Sequence, residues 1–429
     1  MRPGIFNPIF YGKRLFQQFA VDTYVKIESS RLDYIRNNQD SLWADLYQGL
    51  VDSLHAGELR ADAVGIRTVL STSFIGGPRD MRCWYMDAMA LVRKYGKPDI
   101  FLTMTCNPNW DEIKNELFPR QSAQDRPDLV TRVFRAKLEV MKKMLLKKEI
   151  LGKIKAYVYV VEFQKRGLPH AHFLLIMKRK WKLTCPKQYE RLICAELPNK
   201  RKYPELYKMV TKHMMHGPCG VLNPNCPCTK GRSSCKNHYP GPFAASTSQG
   251  KDSYPIYHRR DNGCKEKVRG YELDNWWVVP YNPCLLRAFN YHINVEARSS
   301  IKSVKYLFKY VYKGHDRASI AVMESGQTDD KGNIDEIKAY RDVRWVTPLE
   351  MMWRIYGFDL SVNYPSVKQL QLHLPDMHMV SFHNRQKIEH FVNKPGADES
   401  MLIAYFKANM LHESARNILY RDFSEFFTW

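Results

Sequence analysis

One stretch, residues 160–177, limits what this chain can fold into more than any other. Two apolar runs flank a short basic turn, Lys165–Pro169, and this pattern predicts a β-hairpin. Successive side chains of a strand point to opposite faces, so His170 and His172 share one face of the second strand. The next residues, Phe173–Met177, are all apolar, which predicts that this strand is buried.

The His-x-His pattern supplies half of a metal site, because two imidazoles project from one rigid strand. On the partner strand Glu162 and Gln164 also share a face, so the hairpin can bring either side chain beside His170 and His172. Alone, such a pattern is more often a pair of polar residues on a solvated face. The interpretation as a metal site therefore depends on other parts of the chain.

The charge of the chain points to a polyanionic partner. Its 66 lysines and arginines exceed its 44 acidic residues, which gives a formal net charge of +22. Such an excess favours nucleic acid as the partner, the alternative being a basic protein with no special partner. A length of 429 residues with 44% hydrophobic residues is sufficient for two or three domains with their own cores.

The sequence predicts neither a membrane-spanning segment nor a secretory signal peptide. No apolar run approaches the ~18 residues that span a bilayer, and Met1–Pro8 lacks the apolar region and cleavage site of a signal peptide. The ten cysteines are therefore expected to be reduced. In that state clustered cysteines are more often metal ligands than disulfide partners.

Such a cluster lies in residues 183–270, a basic segment that is rich in Cys and His and poor in periodic apolar signal. A tetrahedral zinc site is predicted from four residues of it, His216, Cys219, Cys228 and Cys235. Three further residues are alternative ligands, namely His213, Cys226 and His238. The spacings match no standard zinc finger, and the alternative is a set of unconnected loop cysteines.

A helix is predicted over Ile301–Lys313, with Ser299 and Ser300 as N-cap candidates and Gly314 as the stop. At about 100° per residue, Tyr306 and Tyr310 are neighbours on this helix. They lie beside a basic stripe that includes Lys305, Lys309 and Lys313. In the plainer interpretation the tyrosines only contribute packing area to an amphipathic helix. This fits less well, because the apolar face is complete without them.

The remaining elements are less distinctive. Pro98–Pro108 is predicted as a strand with Phe101, Thr103 and Thr105 on one face. Further strands are predicted at Trp276–Pro280, His292–Glu296 and Leu370–Leu374. Helices are expected through most of residues 1–95, including Leu42–Leu54, and from residue 375 to the end of the chain.

Taken in order, these motifs resemble the HUH endonucleases of the rolling-circle replication-initiator type. The resemblance is closest to the Rep-like (helitron helicase-like) N-terminal domain of Helitron transposases and extends from about Arg14 to the end of the chain. The stretches that carry it are Phe101–Trp110, Glu162–His172, Asp274–Asn275, Val278–Pro283 and Lys305–Gly314.

The resemblance implies an α+β fold: an HUH-endonuclease-like antiparallel sheet with flanking helices, a Cys-rich insertion, and helical N- and C-terminal extensions. The implied organisation comprises a helical accessory region (1–95), the first half of the nickase domain (96–182), the insertion (183–270), the second half with the tyrosine helix (271–316) and a C-terminal α/β extension (317–429). No Gly-x-x-x-x-Gly-Lys-Ser/Thr phosphate loop occurs. We therefore expect a nickase fragment truncated before the helicase, without ATPase activity, that works with a helicase partner or a missing helicase domain.

The resemblance also implies a chemistry, namely nicking and strand transfer on single-stranded DNA at transposon ends, in the nucleus. His170, His172 and a third ligand, Glu162 or alternatively Gln164, would hold Mg²⁺ or Mn²⁺. Tyr306 and Tyr310 would attack the phosphate to form a 5′-phosphotyrosine link, and Lys305, Lys309 and Lys313 would bind phosphates. The alternatives are a catalytically inactive, domesticated DNA-binding protein and a purely structural zinc protein.

Overall fold

The computed structural model describes most of the chain. The described residues are 7–38, 43–60, 66–67, 70, 74–163, 167–229, 232, 234–250, 255–297, 336–342, 344–382 and 386–428. The chain divides into two compact units, one within residues 1–24, 84–318 and 345–365, the other within 25–83, 319–344 and 366–429.

Helices and strands alternate irregularly along the described residues. The α-helices are α1 (Arg14–Asn37), α2 (Tyr47–His55), α3 (Pro78–Tyr95), α4 (Asp111–Lys114), α5 (Pro127–Leu146), α6 (Pro186–Leu192), α7 (Pro204–His213), α8 (Pro283–Phe289), α9 (Glu336–Asp342), α10 (Pro348–Ile355), α11 (Ile388–Val392) and α12 (Met401–Leu411). Short 3₁₀ helices cover Pro8–Gly12, Ala123–Asp125, Arg179–Trp181, Asn275–Trp277, Glu413–Ala415 and Tyr420–Glu425. The strands are β1 (Trp43–Leu46), β2 (Ile66–Arg67), β3 (Ile100–Thr105), β4 (Ile154–Phe163), β5 (Pro169–Met177), β6 (Ser248–Gln249), β7 (Pro255–Ile256), β8 (Glu266–Val268), β9 (Tyr271–Leu273), β10 (Ile293–Ala297), β11 (Ser361–Tyr364) and β12 (Met379–Phe382).

The first unit is built on a five-stranded sheet with the order β10-β3-β5-β4-β11. All of its neighbouring strands are antiparallel, so the predicted α+β class is confirmed. The predicted hairpin strands are β4 and β5, and β5 is the central strand of the sheet. Because β5 has a partner on each side, its apolar run is buried, as predicted.

One face of this sheet packs on helices. Its side chains include Leu102, Met104 and Phe173, which belong to a buried core together with Phe134 of α5 and Trp353 of α10. Helix α5 starts at a proline, has Asp128 in its first turn, and buries apolar residues at helical spacing. The other face of the sheet carries His170 and His172, because side chains alternate along each strand.

A second core of the same unit joins the Cys-rich segment to residues 273–286. It contains Met214, Cys219, Trp277 and Tyr281. Within the segment, β6 pairs with β7 and β8 pairs with β9 as short antiparallel ribbons. The buried guanidinium of Arg259 donates from Nη1 to three backbone carbonyls, those of Ala195, Asn275 and Val278. The insertion is therefore tied to the chain that leads into β10.

The second unit contains a three-stranded sheet with the order β12-β1-β2. Leu50 of α2 packs against Val380 and Phe382 of β12 in a small core. Arg79 donates through both terminal nitrogens to the carboxylate of Glu336 at 2.7 and 3.0 Å.

The described part of residues 1–95 is mostly helical, as predicted, through α1, α2 and α3. The C-terminal region expected to be helical begins instead with strand β12, which pairs with β1. Other element predictions were wrong. Within Leu42–Leu54 a strand precedes the helix, Leu370–Leu374 has no regular structure, and Trp276–Pro280 contains part of a 3₁₀ helix and one isolated bridge. Short apolar runs do not distinguish helix, strand and loop, and pairing between distant segments then decides.

Candidate metal centre on the sheet

A polar row crosses three strands of the five-stranded sheet and reaches His292, the residue before β10. In the strand register Glu162 of β4 lies opposite His170 of β5, which lies opposite Thr105 of β3. The row continues to His292, whose carbonyl accepts the Thr105 N–H at 3.2 Å. Directly opposed residues of antiparallel strands share a face, so Glu162, His170 and Thr105 lie on the face opposite the helix-covered core. His172, two residues after His170, pairs with Thr103 on the same face.

Each of the two predicted ligand histidines is held by a threonine of β3. The Oγ1 atom of Thr103 lies 2.9 Å from Nδ1 of His172. The Oγ1 atom of Thr105 lies 2.9 Å from Nδ1 of His170. In His170 the hydroxyl oxygen can accept the Nδ1 proton, which leaves the Nε2 lone pair available for a ligand. The two imidazole rings are nearly parallel, at 11°, with centroids 6.3 Å apart.

The carboxylate of Glu162 completes this arrangement. Its Oε2 atom lies 3.0 Å from Nε2 of His172, and both side chains are about 95% buried. The ring of Phe101 stacks on His172 with a centroid separation of 5.8 Å, which restricts the ring's rotation. The structure therefore places His170, His172 and Glu162 on one face of the sheet, and the close contact among them is that of His172 Nε2 with the carboxylate.

The environment of His170 favours a neutral imidazole. Burial, together with the neighbouring His172 and His292, lowers the pKa of His170 to about 3. A neutral ring keeps the lone pair that metal coordination requires. Two imidazoles and one carboxylate form a mixed nitrogen and oxygen set that suits a divalent cation such as Mn²⁺ or Mg²⁺. The residues present therefore fit the ion that the sequence motif implies.

Thr103, Thr105 and His292 were not recognised as members of the site from the sequence. The alternation of Phe101, Thr103 and Thr105 on one strand face was predicted, but only the register places the hydroxyls at the histidines. Nδ1 of His292 donates to the carbonyl of His213 at 3.0 Å. Burial lowers the pKa of His292.

A comparison with known protein families gives a match to the first part of the chain. Residues 1–175 match the family model described as "Helitron helicase-like domain at N-terminus". This segment is a Helitron helicase-like N-terminal domain. The match includes β3, β4 and most of β5, and therefore both histidines, Glu162 and the two threonines. No match to a curated protein is found.

The cysteine cluster lies outside the matched residues 1–175. His216, Cys219, Cys228 and Cys235 offer ligand atoms that all lie within 4.8 Å of one another. Of the alternative ligands, Cys226 has its Sγ 3.5 Å from that of Cys228. His213, Cys226 and His238 are all outside this group of four.

Other predicted site residues fall outside the described part of the chain. These are the alternative metal ligand Gln164, the tyrosines Tyr306 and Tyr310, and the lysines Lys305, Lys309 and Lys313. Their roles stay predictions from the sequence. Among the described residues, no helix combines the length and the apolar character needed to cross a bilayer.

Proposed function

We propose that this Helitron-related chain is a metal-dependent, HUH-type single-strand DNA nickase and strand transferase. The observation that carries the proposal is the pair of imidazoles held at Nδ1 by Thr103 and Thr105 beside the carboxylate of Glu162. Its position on a central, rigid sheet suits a site that must keep its ligands in place. The family match of residues 1–175 supports a transposon-related role.

Different residues would bind the metal and attack the phosphate. His170, His172 and Glu162 would hold Mg²⁺ or Mn²⁺, which when bound supplies charge stabilisation to the scissile phosphate. Tyr306 or Tyr310 would form a bond from its phenol oxygen to phosphorus while the bond from phosphorus to the 3′ oxygen breaks. The phenol loses its proton to solvent, and the released 3′ oxygen gains one. Attack by a 3′-hydroxyl reverses the step, so strand joining needs no high-energy cofactor.

The basic character of the chain supports single-stranded DNA as the substrate. A net charge of +22 provides attraction to the phosphate backbone, and lysines Lys305, Lys309 and Lys313 would contact phosphates beside the tyrosines. Transposon ends are the proposed target and the nucleus the proposed location, with strand separation left to a helicase partner or domain.

The test is the detection of a covalent adduct between the protein and single-stranded DNA. The full chain is incubated with 5′- and 3′-labelled single-stranded DNA and Mn²⁺ and separated on a denaturing gel. We expect a protein-linked 5′ end and a free 3′-hydroxyl fragment, both absent when His170→Ala and His172→Ala are combined. The exposed His390 supplies the matched control, since His390→Ala should behave as the parent.

Two results would count against this proposal. Cleavage that survives the double histidine change would overturn the metal site. Tight DNA binding without any adduct in the parent protein would favour the second candidate function, a catalytically inactive DNA-binding protein.

A further inference from the structure

We propose that His216, Cys219, Cys228 and Cys235 bind one Zn²⁺, and that this structural site anchors the chain segment that orients His292. The first argument is the spacing of the donors. With Zn–S distances of about 2.3 Å and Zn–N distances of about 2.0–2.1 Å, a tetrahedral site separates sulfur from nitrogen by about 3.5 Å. Nε2 of His216 lies 3.6 Å from Sγ of Cys228 and 3.5 Å from Sγ of Cys235.

Burial is the second argument. Cys219, Cys228 and Cys235 are 2, 7 and 4% exposed, and all three are free thiols. Buried cysteines commonly serve as small apolar side chains, but that role does not require their sulfurs to converge on one imidazole nitrogen. Three sulfurs and one nitrogen within 4.8 Å of one another form the Cys₃His set of structural zinc sites.

Groups around the ligands fit the same assignment. The backbone N–H of Asn237 points at Sγ of Cys235 at 3.4 Å, as is suited to a thiolate. The ring of His216 stacks on Tyr239 with centroids 4.1 Å apart, which holds Nε2 towards the sulfurs. The hydroxyl of Thr229 lies 3.7 Å from Sγ of Cys228 and accepts the N–H of Gly220 at 3.1 Å.

The position of the cluster in the fold indicates what the metal would do. The ligand His216 donates its backbone N–H to Trp277, and Val279 donates its own to Met214. These bonds tie the cluster to the stretch that leads through α8 into β10. On the same cluster-bearing segment, the carbonyl of His213 accepts from Nδ1 of His292 at 3.0 Å. A metal that fixes His216 therefore also fixes the carbonyl that orients His292 at the end of the polar row.

The zinc assignment does not rest on the proposed nickase activity, and its test separates the two. Full-length protein, purified without chelator, is assayed for zinc by elemental analysis. The double change Cys228→Ser with Cys235→Ser should remove one zinc per chain relative to the parent protein. The double change Cys264→Ser with Cys284→Ser alters two exposed cysteines outside the cluster and should keep the parent's zinc content.

A further variant distinguishes a metal bound at His170 and His172 from the zinc of the cysteine cluster. His170→Ala with His172→Ala should retain the zinc that the Cys228→Ser and Cys235→Ser pair removes. Cys226→Ser should also retain it, because Cys226 lies outside the group of four. Loss of that zinc in either variant would overturn the assignment of the ligands.

Cobalt gives a readout that does not depend on the folding of a cysteine variant. Replacement of the metal of the intact protein by Co²⁺ should produce the visible bands of a tetrahedral ion and a thiolate-to-cobalt charge-transfer band in the near ultraviolet. Folded parent protein that contains no zinc, or a cobalt form without thiolate bands, would refute the site.

The anchoring role has its own measurement. Removal of zinc from the parent by a chelator should increase amide hydrogen exchange in residues 213–216 and 277–279 and at His292, with strand β4 unchanged. Equal protection with and without zinc would refute the coupling to His292.

Discussion

The Nε2 atom of His172 lies 3.0 Å from the Oε2 atom of Glu162, on adjacent strands of one sheet and out of solvent. A buried carboxylate beside an imidazole is costly to desolvate unless each group has a partner. Glu162 and His172 are each other's partner at Nε2 of the imidazole, and Thr103 is the partner at Nδ1. Each of these contacts can be removed by a substitution, so their roles can be tested separately.

Removal of the threonine hydroxyls should weaken metal binding without removing a ligand. Thr103→Val with Thr105→Val keeps the side-chain shape but removes the hydroxyl that contacts Nδ1 of each histidine. Loss of such outer contacts typically costs about 10–100-fold in metal affinity. Mn²⁺ titration by calorimetry measures the change, and Thr211→Val on α7 is the control. Unchanged Mn²⁺ affinity would show that the hydroxyls do not position the rings.

Glu162→Gln should reduce Mn²⁺ affinity by more than tenfold, because an amide oxygen is a weaker ligand for a hard cation than a carboxylate. Glutamine can still hydrogen-bond His172, so the far-ultraviolet circular dichroism spectrum should match that of the parent. Glu139→Gln, which changes a more exposed carboxylate on α5, should leave the affinity unchanged. Parent-like binding by the Glu162 variant would exclude this carboxylate as a ligand.

Tyr306→Phe combined with Tyr310→Phe should eliminate the covalent DNA adduct, because helical spacing places both hydroxyls beside the lysine stripe. Each single change should leave one transfer possible and impair paired strand transfer. Tyr312→Phe should behave as the parent, because a position two residues after Tyr310 does not share its side of a helix. Peptide mass mapping of the adduct checks the assignment, and an adduct on Tyr312 would contradict it.

Removal of one partner of the buried ion pair between Arg126 and Asp128 should strongly destabilise the first unit. Arg126 donates from Nε and Nη2 to the two carboxylate oxygens, both at 2.9 Å, and both side chains are about 95% buried. Asp128→Ala leaves a buried, unpaired guanidinium and should lower the free energy of unfolding by about 3–5 kcal/mol. Urea unfolding measures the loss. Glu139→Ala, in a more exposed pair, should cost no more than about 1 kcal/mol, and equal losses would contradict this ranking.

DNA binding should weaken as salt rises, since bound lysines and arginines release counterions from the phosphates. Changing Lys305, Lys309 and Lys313 to alanine should flatten the slope of log affinity against log salt by about 2, at about 0.7 per contact for a single strand. Fluorescence anisotropy at several salt concentrations measures the slope. The control changes Lys143, Lys147 and Lys148 to alanine, all exposed at the end of α5. An identical slope in both triple variants would refute the proposed phosphate contacts.

How far the sequence predicts this molecule depends on the range of the interactions involved. The strands β3, β4 and β5, and the shared face of His170 and His172 were predicted correctly. In each case the deciding signal is local, a two-residue period or a long apolar run. The sheet of β12, β1 and β2 was not predicted, because its pairing joins Leu46 to Met379 across most of the chain.

The sequence by itself determined which residue types can carry the chemistry: two histidines on one strand face, a carboxylate on the partner strand, and a set of clustered cysteines. Only the tertiary structure decided their partners. Strand register sets Thr103 and Thr105 at the Nδ1 atoms and extends the row to His292. Packing of the insertion selects Cys228 over Cys226 for the group of four. Both choices depend on contacts between residues far apart in the chain, for which a local sequence period carries no information.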